Sequence, residues 1–182
     1  MTIILIVITV AVSYAAFKSP KLMDQLQFNA SKIIHKNEYH RLVTHAFIHA
    51  NWEHLFVNMI VLFSFGQAIE AYFKFNFGNN AILDYVLLYF GGILVSNIYA
   101  LIKHRNNYFY NSVGASGAVS AVLFAAIFFD PWNKIYFFGI LPIPGIVFAA
   151  LYLVYSYQMS TKKTDIVAQD AQFVGALFGV FV

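Results

Sequence analysis

Six stretches of this chain run almost free of charge: about 2–17, 54–73, 81–102, 113–129, 145–158 and 166–182. Nothing else in the sequence limits the fold as much. In all, 60% of the residues are hydrophobic and 10% are charged, against roughly 45–50% apolar and about 25% charged in soluble domains. Such a chain cannot cover a water-facing surface, so its solvent is mostly lipid. Crossing a hydrocarbon core of about 30 Å takes roughly 20 helical residues. In lipid every backbone N–H and C=O must be satisfied internally, which makes each span a helix. The expected fold is an all-α membrane protein, a six-transmembrane-helix bundle forming one domain over residues 1–182. No internal repeat or low-complexity tract interrupts it.

The first stretch lacks a basic n-region and a small-x-small cleavage site, and reads as a retained span rather than a signal peptide. The segment 18–53 is the most charged part of the chain and carries His35, His40, His45 and His49. It is too polar to span. Its apolar residues (Leu22, Leu26, Phe28, Ile33, Ile34) suit short interfacial helices. A net charge of +3 is too small to point to nucleic acid, and the lysines suit anionic lipid headgroups instead. The absence of cysteine excludes disulfides, thiol catalysis and thiolate metal sites.

Polar and small residues inside the spans carry the functional information. The fourth span opens with Gly114-Ala115-Ser116-Gly117, and small residues recur at Gly117, Ala121 and Ala125. The sixth holds the pair Gly175 and Gly179. These faces suit close helix packing, and taken singly either motif means no more than that. Position 172 lies three residues before Gly175, so it is expected to share the glycine face and point toward Ser116. His54 and Asn58 stand four apart where the second span begins. A His N–H and an Asn amide aimed at one point can hold an oxyanion; equally they can bond neighbouring helices. His45, His49 and His54 also raise a metalloprotease reading. HExxH is absent, and no carboxylate stands between His45 and His49. A transporter would call for interrupted spans in matching halves, and none is visible.

The run Glu38-Tyr39-His40-Arg41-Leu42-Val43-Thr44-His45-Ala46-Phe47-Ile48-His49, then His54 and Asn58, resembles the first loop and second helix of the rhomboid intramembrane serine proteases. Gly114-Ala115-Ser116-Gly117 resembles their GxSG motif, Leu141-Pro142-Ile143-Pro144-Gly145 the approach to their fifth span, and Asp170 through Gly179 their last helix. The likeness covers nearly the whole chain and matches the minimal six-helix bacterial form. It implies that Ser116 is the nucleophile and that His54, Asn58 and the Ser116 N–H form the oxyanion site. Arg41, His45 and His49 would support the first loop, and Glu70 would brace the bundle. Gly114, Gly117, Gly175 and Gly179 would permit close approach. The implied substrates are transmembrane helices, cut without cofactor or metal, in the bacterial inner membrane.

Three positions depart from that pattern. Gln172 stands where the family keeps its general-base histidine, and all six histidines of the chain precede Ser116. Gln169 stands one turn earlier, where related sequences often carry His. Ser120 takes the place of a tyrosine that backs the base. A glutamine amide accepts a hydrogen bond but does not take a proton near neutral pH. Two readings follow: an impaired endopeptidase, or a pseudoprotease that binds transmembrane segments without cutting them. An inside N-terminus, as in the family, places most lysines on the outer side, against the positive-inside bias.

Overall fold

The computed structural model describes residues 1–137, 141–160 and 169–181, with side chains at all of these except 136–137, 155–160 and 169. Helix α1 (Thr2–Lys18) buries Thr2, Leu5, Thr9, Ser13 and Ala16. Its bulky residues Ile3, Ile4, Val7 and Ile8 face outward. This helical stripe has the reverse polarity of a water-soluble helix. Lipid tolerates the apolar side, while the small polar side lets another helix come close.

Segment 18–53 folds into short helices: α2 (Pro20–Leu26), α3 (Ala30–Lys36) and α4 (Arg41–Thr44), then a 3-10 turn at His45–Phe47. Ser19 and Asn29 cap α2 and α3 by accepting the Leu22 and Lys32 N–H groups. Each cap satisfies a backbone donor left over at a helix start. Asn51 does the same for α5 (Trp52–Phe77). That helix runs past both ends of the expected 54–73 and stops at Gly78, where φ is 57°.

The stretch expected as one helix over 81–102 is two, α6 (Ala81–Ser96) and α7 (Ile98–Lys103). The break falls at Asn97, whose amide donates to the Ile93 carbonyl and to buried His45. Helix α8 (Ser116–Phe129) begins three residues later than expected, because Gly114 with φ of 114° holds the preceding turn out of the helix. Every residue from Gly117 to Ile127 is buried, so α8 is the central helix, packed by α5, α6 and the C-terminal helix Gln169–Phe181.

A short hairpin accompanies the helices. Strand β1 (Lys134–Phe137) pairs antiparallel with β2 (Leu141–Pro144), Lys134 opposite Pro144 and Phe137 opposite Leu141. Proline lacks a ladder donor, and a lone two-stranded edge tolerates it. Helices α9 (Gly145–Ser160) and α10 (Gln169–Phe181) complete the bundle. The basic loop expected at 160–164 lies, beyond Ser160, outside the described residues, as do 166–168 and 182 of the sixth stretch.

Within Trp52–Lys103 lies the one stretch, among the described residues, long and apolar enough by length and composition to cross a membrane. The other apolar helices are shorter. Exposed Phe56, Val57, Phe63, Ile82, Leu87 and Leu151 form an apolar outer surface around the buried α8. At one end the Thr2 N–H donates to the Glu70 carboxylate, and Thr2 Oγ1 shares a 2.8 Å hydrogen bond with the Tyr85 hydroxyl. Glu70 thereby ties α1 to α5.

Candidate functional site

The site begins with Arg41. Its side chain is buried and ties the end of α2 to the turn before α4, donating to the Asp24 and Gln27 carbonyls and to the Glu38 carboxylate. The Arg41 hydrogen bond holds the Glu38 carboxyl below its usual range. One turn later the His45 ring meets Arg41 O at 2.8 Å through Nδ1 and the Asn97 amide at 3.1 Å through Nε2. A carbonyl needs a donor and the amide N–H an acceptor, so the ring is the neutral Nδ1–H tautomer. Burial pushes its pKa down to about 4.

The His45 carbonyl accepts the Gly114 N–H at 2.9 Å, and Phe28 and Ser112 exchange two backbone hydrogen bonds. The first loop thus clamps the segment that leads into α8. A Cβ at Gly114 would lie 2.6 Å from Cε1 and 2.9 Å from Nε2 of His54. The imidazole therefore rests on this glycine, two residues before Ser116. Positive φ and lack of room both require glycine here.

Among the described residues, both ring nitrogens of His54 are buried without a hydrogen-bond partner. The His49 ring stands edge-on to it, centroids 5.0 Å apart. Ser13 Oγ donates to the Phe47 carbonyl and lies 3.0 Å from His49 Nδ1. The one hydroxyl proton is committed, so His49 Nδ1–H is the donor and Nε2 is bare. Burial, and secondarily the nearby His54, push the His49 pKa down to about 3. Asn58 is buried and donates to the His54 carbonyl at 2.8 Å within α5. Ser116 is half-buried at the first position of α8. There the first-turn N–H groups lack intrahelical acceptors and the helix dipole favours negative charge.

On the opposite side of α8 the two glycines of α10 make the expected close contact. A Cβ at Gly175 would collide with the Gly117 carbonyl, and one at Gly179 with that of Ala121. The contact stripe, however, continues through Ala171, whose carbonyl would lie 3.3 Å from a Cβ at Gly117. Gln172 is therefore on the flank of the glycine face, turned toward α9. A four-residue step follows a helix face more closely than the three-residue step that linked 172 to 175. Gln172 Oε1 accepts a hydrogen bond from the Tyr152 hydroxyl at 3.3 Å, and Tyr152 bonds Ser120 Oγ at 2.6 Å. Ser116 and Gln172 share no hydrogen bond among the described residues. Sequence reasoning missed Tyr152; its one signal was that Ser120, polar inside the central helix, needed a partner. The Gln169 side chain lies outside the described residues.

The three histidines do not converge. His45 uses both nitrogens within the protein, and no group of three or more His, Cys, Asp or Glu suited to a metal occurs among the described residues.

Comparison with known proteins adds the relatives. A family profile described as the Rhomboid domain matches residues 36–182. The chain is 28% identical over 152 residues to RHOMBOID-like protein 12, mitochondrial, of Arabidopsis thaliana, covering 75% of this chain and 43% of that protein. It is 37% identical over 100 residues to Rhomboid-like protein 11, chloroplastic, of the same plant, covering 53% and 32%. With RHOMBOID-like protein 1, also from that plant, identity is 34% over 99 residues, covering 54% and 23%. The chain thus spans less than half the length of each of these relatives. All three come from a plant, two with organellar names, so they lend no support to a bacterial inner membrane.

Proposed function

The chain belongs to the rhomboid family and is an integral membrane protein, and from that premise we propose that it binds transmembrane helices at a serine-protease-type site that lacks its proton acceptor. In this reading the bundle has six spans, Ser116 holds the nucleophile's place, and His54, Asn58 and the Ser116 N–H face the carbonyl of a bound segment. Gln172 takes the position of the general base.

The observation that carries the proposal is the state of Gln172. Its carbonyl oxygen is engaged by Tyr152, and an amide at any orientation is no base near neutral pH. A serine hydroxyl without an adjacent base remains a weak nucleophile. What persists is the positioning machinery: the clamp from Arg41 through His45 to Gly114, and the His54 ring resting on that glycine. Recognition therefore outlasts hydrolysis.

The test uses the chain in liposomes with a reporter transmembrane peptide carrying a photocrosslinker. Crosslinking to α8 or α10 is expected, with cleavage no faster than in the Ser116→Ala variant. Turnover clearly above that variant contradicts the proposal, as does the absence of crosslinking.

A further inference from the structure

The hydrogen bonds around Gln172 give its amide an orientation. The Tyr152 hydroxyl has one hydrogen, and it goes to Gln172 Oε1. The 2.6 Å contact between Tyr152 and Ser120 must then use the Ser120 hydrogen. The three groups form a directed chain from α8 through α9 to α10: the Ser120 hydroxyl donates to Tyr152, and the Tyr152 hydroxyl donates to the Gln172 carbonyl. Each donor polarises the next. With the Tyr152 hydroxyl as donor, the carbonyl end of the amide faces α9. The Nε2 end makes no hydrogen bond to another side chain or backbone group among the described residues.

We infer that Gln172 acts as a hydrogen-bond donor to a backbone carbonyl of the bound transmembrane peptide, with Tyr152 and Ser120 as the residues that position it. This rests on the reading of the site as a binder of transmembrane segments. A helix that unwinds at membrane depth frees carbonyls that lipid cannot satisfy. A donor beside the unwound stretch satisfies one of them. His54 offers one nitrogen-bearing ring on the Gly114 side of Ser116, and Gln172 offers an amide from α10. The ligand chemistry is an extended peptide carbonyl, and no proton is transferred.

The experiment measures the affinity of a fluorescent transmembrane peptide in nanodiscs, with a set of peptides in which single backbone carbonyls are replaced by thioamides, weaker acceptors of the same shape. Gln172→Met is expected to weaken the parent peptide about two- to tenfold, the range of one neutral hydrogen bond. Tyr152→Phe keeps the ring and should weaken it in the same direction, by less, because the amide is no longer held. One thioamide position should weaken binding to the unaltered chain and leave binding to Gln172→Met unchanged. That coupling is the readout that damage to the fold alone would not give. If every thioamide peptide responds alike in both proteins, or if Gln172→Met binds as tightly as the unaltered chain, the inference is overturned while the binding function stands. If the unaltered chain binds no peptide, both fall together.

Discussion

Changing Gln172 to His should restore proteolysis, and the size of the gain can be worked out. Loss of the histidine from a serine-protease triad lowers turnover by on the order of 10⁶, about 8 kcal/mol of transition-state stabilisation. Full recovery requires the imidazole to be held by a second group. Here residue 120 is serine, so no aromatic ring on α8 backs the base, and the Tyr152 hydroxyl, 3.3 Å from the present side chain, is the available support. The hydroxyl chain can run in reverse. An imidazole Nδ1–H would donate to Tyr152 and Tyr152 to Ser120, leaving Nε2 bare for Ser116, the tautomer a general base needs. Support by a single hydrogen bond leaves orientation imperfect, and a misplacement of about 1 Å costs around 10²-fold. The expected gain is therefore about 10⁴-fold, and it should drop again when Tyr152→Phe is added. The assay is a quenched-fluorescence transmembrane substrate in liposomes, with Ser116→Ala in the same background as the blank. Gln172→His that binds the substrate but cleaves no faster than its blank would refute the reasoning.

Three further outcomes follow from the packing, the buried histidines and the proposed topology. Gly175→Val forces a side chain into the Gly117 backbone and should destabilise the bundle by about 1–3 kcal/mol, the usual range for overpacking, read as a lower melting temperature in detergent. His45 has a folded pKa of about 4 against 6.5 unfolded, so the unfolded first loop binds the extra proton between those values. Its stabilisation is complete above pH 6.5 and declines as pH falls toward 4, by about 1.4 kcal/mol per pH unit. Limited proteolysis of segment 18–53 should accelerate over that window, and less so in His45→Asn. With the N-terminus inside, as the family likeness implies, Lys103 lies on the outer side, so a cysteine at position 103 should react with an impermeant maleimide from the outer face; protection there contradicts that orientation.

How much of this was legible beforehand differs from residue to residue. Scarcity of charge announced the helices, because a chain that cannot face water leaves its backbone no other solution. Gly117, Gly175 and Gly179 announced the α8–α10 contact, since small residues at four-residue spacing have few other uses. The flank position of Gln172 was not readable: steps of three and four residues fall on nearly the same face, and only the placing of Ala171 over Gly117 separates them. The break at Asn97 depends on His45, 52 residues away, and the Tyr152 bridge joins residues 32 and 20 apart in sequence. Such pairs leave no local signal. The hairpin was hidden for the opposite reason, as Pro142 and Pro144 argue locally against a strand.

The central claim is that Ser116 is placed for nucleophilic attack but has no base. Labelling by a fluorophosphonate reports on that serine directly, without a substrate. The unmodified chain should label at Ser116 slowly, at a rate close to that of an unactivated serine, and Gln172→His should label much faster. Rapid labelling of Ser116 in the unmodified chain, at the rate of Gln172→His, would contradict the account.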